Sequence, residues 1–140
     1  MKAIGLMSGT SCDGVTACIS ELALSGDRIE SRLLAWRNYE YDKDLRESLL
    51  ACSSGGDCTS AQICHLNYAV AHVFADAANN LASESGIDLD TIGFIASHGQ
   101  TIWHDPLGRT PSTLGARSVP ATLQIGEPAI IAEQTGLTVV

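Results

Sequence analysis

Two apolar runs, Ala3 to Met7 and Val15 to Leu24, are separated by the short stretch Ser8-Gly9-Thr10-Ser11-Cys12-Asp13-Gly14. Apolar runs of this length around turn residues predict two strands joined as a β-hairpin. Glycines at 9 and 14 let the backbone turn and approach a ligand closely. Exposed amides, with the hydroxyls of Ser8, Thr10 and Ser11, suit the oxygens of a phosphate. The Asp13 carboxylate repels a phosphate unless a hydrated cation such as Mg²⁺ lies between them. The same residue types also build an ordinary hairpin turn, and spacing alone does not choose between the two. The stretch is not a Walker A loop, because Val15 stands where that motif needs Lys.

The chain has 140 residues, 45% of them hydrophobic and 17% charged, which suits one globular domain with a real core. A net charge of −8 argues against nucleic acid and anionic membrane surfaces as partners. An acidic protein that takes a phosphate must make its positive potential locally, from loop amides, helix N-termini or a metal. Met1-Lys2-Ala3-Ile4 does not read as a secretory leader, and no apolar run is long enough to span a bilayer. The five cysteines (12, 18, 52, 58 and 64) form no C-x-x-C pair. They read as small buried apolar residues in a reducing cytoplasm.

Ser25-Gly26-Asp27 reads as a second turn, leading into a third strand from Arg28 to Tyr39. The opening is then a meander of three antiparallel strands. Asp42 to Cys52 predicts a short helix, and Ser53 to Asp57 a breaker. A helix capped by Thr59 or Ser60 runs to about Glu84, with Ile63, Leu66, Val70, Val73, Ala77 and Leu81 at helical spacing. Gly86 closes it. His65 and His72 on that helix read as packed or surface residues. Ile92 to Ala96 predicts a short buried strand ending at Ser97-His98-Gly99-Gln100-Thr101, a place where α/β sheets bind ligands. Trp103 to Ser118 reads as a surface loop or lid. Thr122 to Ile125 predicts a strand, and Ala129 to Gln134 a helix with Pro128 in its first turn and Gly136 after its end. Leu137 to Val140 begins a further strand. A chain stopping there reads as a fragment of a longer protein.

Three motifs carry a resemblance to a known family. They are Gly5-Leu6-Met7-Ser8-Gly9-Thr10-Ser11-Cys12-Asp13-Gly14-Val15, Ser97-His98-Gly99-Gln100-Thr101-Ile102-Trp103-His104 and Thr122-Leu123-Gln124-Ile125-Gly126-Glu127-Pro128. Together they resemble the anhydro-N-acetylmuramic acid kinase family of bacterial cell-wall recycling, from Met1 to Val140. The order of elements resembles the ribonuclease H-like half-domain of the sugar kinase, Hsp70 and actin superfamily: an α/β fold whose mixed sheet opens with an antiparallel meander flanked by helices.

The resemblance implies that residues 1–140 are the N-terminal lobe portion of a two-lobed, homodimeric, cytoplasmic enzyme. It implies an ATP- and Mg²⁺-dependent reaction. Water opens the anhydro bridge of 1,6-anhydro-N-acetylmuramic acid, O6 takes the γ-phosphoryl group, and N-acetylmuramic acid 6-phosphate results. Gly9, Thr10, Ser11, Cys12, Asp13, Gly14, Val15 and Thr16 match the family's ATP-phosphate loop, with Asp13 holding Mg²⁺ through water. Cys12 departs from a common Leu, and Thr16 from a common acidic residue, which leaves position 16 without an implied role. His98, Gln100, Thr101, Gln124 and Glu127 match motifs on the sugar side of the cleft. The family's catalytic aspartate belongs to a D-F-R motif that would follow Val140, so the chain alone is expected to be inactive. Two other readings stand beside this one: a non-catalytic half-domain that binds a nucleotide or a partner, and a metal-dependent hydrolase using His98, His104 and Asp105.

Overall fold

The computed structural model describes residues 1–55, 58–108 and 117–140. Strands β1 (Lys2–Ser8), β2 (Gly14–Ser25) and β3 (Arg28–Glu40) form the expected antiparallel meander. On β2 the alternation places Val15, Ala17 and Ile19 on one face, all fully buried. Ile4 and Leu6 of β1 extend that face.

Helix α1 (Lys43–Ser53) starts where the Asp42 side chain accepts from the Leu45 amide. Helix α2 (Ser60–Ser85) carries a full capping box: the Thr59 hydroxyl accepts from the Gln62 amide, and the Gln62 side chain accepts from the Thr59 amide. Gly86, in the left-handed region, ends it. The expected apolar stripe of α2 lies against the sheet, with Leu66, Val70, Ala77 and Leu81 buried beside Ile4, Ile19 and Ile95. Helix α3 (Pro128–Thr135) has Pro at its start and left-handed Gly136 at its end, as expected.

The strand expected over Ile92 to Ala96 is longer. Strand β4 runs from Ile92 to Asp105 and includes the whole Ser97–Thr101 motif. It lies parallel to β1 and antiparallel to β5 (Ala121–Ile125), giving the order β3-β2-β1-β4-β5. The polar residues therefore belong to a paired strand and not to a loop beyond its end. Trp103, His104 and Asp105 belong to the same strand, and residues 109–116 of the expected lid lie outside the described residues. The segment Leu137 to Val140 makes one parallel bridge, Val139 to Ile95, on the edge of β4 that β5 occupies further along. The two neighbours share that edge. Thr138 O accepts from the Ile95 amide, and Val140 O from the Ser97 amide.

The reading of the cysteines needs correction. Cys52 and Cys58 form a disulfide that joins the end of α1 to the start of α2. The pair lies six residues apart, at the end of one helix and just before the next, and meets without any C-x-x-C signature. Cys12 is buried, but Cys18 is only half-buried and Cys64 is exposed. His65 and His72 are exposed, and His72 Nδ1 lies 2.6 Å from Gln134 Nε2. Among the described residues, no helix is long and apolar enough to cross a membrane.

Candidate functional site

The stretch after β1 folds as a turn closed by the Cys12 amide donating to Gly9 O. Cys12 then takes φ 49°, the left-handed region that non-glycine residues rarely adopt. A turn followed by a left-handed residue swings neighbouring amides toward one side and forms an anion-accepting concavity. Among the described residues, the amides of Thr10, Ser11 and Asp13 donate to no acceptor in the chain. Ser11 Oγ donates to Asp13 Oδ1 over 2.9 Å, which leaves the other carboxylate oxygen for a cation's water. These donors fit phosphate oxygens, and the carboxylate fits a hydrated Mg²⁺. Gly14 closes the loop where β2 meets β3; a Cβ there would collide with the Tyr39 carbonyl.

The floor of the loop is polar and buried. Ser8 Oγ lies 2.6 Å from both Gly14 O and Gln100 Oε1. The Tyr41 amide donates to Asp13 O. The Tyr41 phenol is buried with no well-formed hydrogen bond among the described residues; burial pushes its pKa up to about 12, with the nearby Ser8 hydroxyl opposing. The Cys12 thiol is likewise pushed up, chiefly by burial, with the Ser53 hydroxyl opposing.

The five residues matched to the sugar side part company. His98 and Gln124 line one cavity of about 210 Å³, together with Ser97, Gly126 and Val140. Thr101 lines another of about 220 Å³ with Thr10, Ser53, Trp103 and His104, so this second cavity adjoins the loop. Gln124 Nε2 bridges the two by donating to Thr101 Oγ1. Glu127 is turned elsewhere: its carboxylate accepts from Ala129 N at the start of α3 and from Asn67 Nδ2 of α2. Gln100 is fully buried beneath the loop. One residue escaped the sequence reading. Ser97 lines the His98 cavity with a buried Oγ that has no partner among the described residues. A serine inside an apolar strand end carries no signal that separates it from a packed one.

The hydrolase arrangement is not assembled. Among the described residues, no three His, Cys, Asp or Glu side chains converge as metal ligands.

Fold and loop define an α/β unit with a tight polar turn at the end of a buried central strand and a small cavity beside it lined by Thr10 and Thr101. The chain belongs to the anhydro-N-acetylmuramic acid kinase family, whose model it matches over residues 1–140. It is 36% identical over 137 residues to a kinase of that name from Caldanaerobacter subterraneus subsp. tengcongensis, covering 98% of this chain and 34% of the relative. Likewise it is 38% identical to one from Vibrio vulnificus, over 98% of this chain and 34% of the relative. A third, from Streptomyces avermitilis, is 39% identical over 100% of this chain and 34% of the relative. The chain thus spans about a third of the length of the curated relatives it matches.

Proposed function

We propose that residues 1–140 are the phosphate-binding part of the N-terminal lobe of a two-lobed ATP- and Mg²⁺-dependent kinase. Its reaction hydrolyses the 1,6-anhydro bridge of anhydro-N-acetylmuramic acid and phosphorylates O6. The observation that carries the reading is the set of three unpartnered amides at Thr10, Ser11 and Asp13, in a chain of this family. ATP supplies the phosphoryl group, and Mg²⁺ neutralises the charge that develops during transfer. The loop's own part is positioning. The amides and hydroxyls hold phosphate oxygens, and Asp13 orients the cation's water shell. Thr101 lines the cavity beside the loop, and His98 and Gln124 line a second one joined to it by the Gln124–Thr101 hydrogen bond; these are the side chains available to the sugar. Glu127 acts through α3, whose first turn it caps.

The base that takes a proton from water is assigned to the family's aspartate after Val140. Support comes from Val140 lining the cavity of His98 and Gln124. The pairing of β1 with β4 and of Ile95 with Val139 supports a ribonuclease H-like half-domain. The full-length protein is read as a cytoplasmic homodimer on family membership alone; the Cys52–Cys58 disulfide runs against a reducing compartment.

The test uses the full-length protein with ATP, Mg²⁺ and the anhydro-sugar, and measures sugar 6-phosphate. Asp13→Ala should lower kcat on the order of 10- to 100-fold while the fold survives. Unchanged turnover would refute the metal role. The 140-residue chain alone should form no product.

A further inference from the structure

We propose that Gln100 is a positioning residue of the phosphate loop and not a contact to the sugar; the inference rests on the phosphate-loop reading above. Gln100 is fully buried. Its Nε2 donates to Gly9 O over 2.8 Å and to Thr101 O over 2.9 Å, and lies 3.4 Å from Cys12 Sγ. Its Oε1 accepts from Ser8 Oγ over 2.6 Å. Both amide protons are therefore engaged inside the protein, the carbonyl shares the single Ser8 hydroxyl proton with Gly14 O, and the fully buried amide presents no atom to a ligand. The orientation is set by the partners: a flipped amide would aim its oxygen at two carbonyls.

What this does to the loop follows from peptide planarity. In a trans peptide the C=O and the next N–H point in opposite directions. Gly9 O is drawn inward by Gln100 and by the Cys12 amide, so the Thr10 N–H of the same peptide is turned outward. That amide is one of the three without an acceptor, and Thr10 lines the cavity beside the loop. Gln100 thus holds the loop in its anion-accepting form before any ligand arrives, which lowers the cost of ordering it on binding.

A bulge puts Gln100 there. Leu6 pairs with Ser97, but Ser8 pairs with Gln100, so β4 spends one residue more than β1 over this step. Without it, alternation would bring position 99 beneath Ser8. Gly99 takes φ +72°, and a Cβ on it would come within 2.7 Å of Ile125 O. The extra residue turns Gln100, which alternation would otherwise send outward with His98, to the inner side under the loop.

The experiment is steady-state kinetics of the full-length protein, with ATP and the anhydro-sugar varied in turn, for Gln100→Met, Ser8→Ala and the double variant. Each single variant should raise KM for ATP about tenfold, leave KM for the sugar within about twofold, and change kcat by less than about threefold. The double variant should be little worse than either single one, because both break the same strut. A rise in sugar KM with ATP KM unchanged overturns the inference in favour of sugar contact. Loss of melting temperature with both KM values unchanged overturns it in favour of a purely structural role, as does failure of both single variants to fold. If wild-type protein shows no ATP-dependent turnover, it is the phosphate-loop reading that fails instead.

Discussion

The two turns of the meander, Gly9–Asp13 and Ser25–Asp27, use the same vocabulary of Gly, Ser and Asp, yet they are built differently. The second joins β2 to β3 with Gly26 at φ +61° and no atom within reach of a Cβ. Leu24 and Ile29 beside it are 79% and 74% exposed, so nothing supports it from below. The first has a buried floor of Ser8, Gln100, Cys12 and Tyr41, and three amides without an acceptor among the described residues. Composition therefore does not distinguish a turn that stands clear of the core from one built over a buried polar floor. The distinction lies in what is packed underneath, and in whether backbone donors are left over.

The largest effect expected from this comparison is at Gly14. Gly14→Ala drives a methyl into the Tyr39 carbonyl and should cost about 3 kcal/mol or more, or abolish folding, read by urea denaturation. Next is the wall of the loop's cavity, which contains Ser53 beside disulfide-bonded Cys52. Cys52→Ser should lower stability by about 2 kcal/mol under oxidising conditions, from loop-closure entropy. The difference should vanish with dithiothreitol; a loss that survives reduction would point to packing instead. Third is the floor. Tyr41→Phe removes a buried hydroxyl that makes no well-formed hydrogen bond and only approaches Ser8, so stability should rise by about 1 kcal/mol at neutral pH. Tyr41's folded pKa of about 12 lies above the ordinary value of 10, so its neutral form favours the fold. That contribution is intact below pH 10 and fades as pH rises toward 12. The variant should lose less stability across that window than wild type does. The smallest effect is at the far turn. Gly26→Ala should cost about 1 kcal/mol, the left-handed backbone penalty alone, and leave ATP turnover unchanged. A shift in KM for ATP there would erase the contrast between the turns.

Much of the fold was legible because its signals are local. The capping box at Thr59, the glycines after α2 and α3, and the alternation of Val15, Ala17 and Ile19 all act within a few residues. The extent of β4 was not legible. Ser97-His98-Gly99-Gln100-Thr101 is polar and contains glycine, which reads as a loop. Its backbone is satisfied by β1 and the Val140 segment up to Ser97 and by β5 from Gln100 onward, and local pattern does not report long-range pairing. Gln100 suffered the same way: a polar side chain in a motif reads as a ligand contact until the bulge at Gly99 settles which way it faces. The Cys52–Cys58 pair was not legible because its proximity depends on how the ends of two helices meet, not on a spacing motif.

The shared edge of β4 has a consequence for how this lobe comes apart. Before Gly99 the strand is held between β1 and the parallel segment ending at Val140; after it, β5 pairs in the opposite sense. Slanted bonds give way to perpendicular ones at a single glycine, so the sheet is two ribbons that share one strand. Such ribbons are separable cooperative units. Amide protons bonded between β4 and β5 should exchange with solvent sooner than those of β1, whose two neighbours are both buried in the main ribbon. The cavity lined by His98 and Gln124 lies on the seam between them.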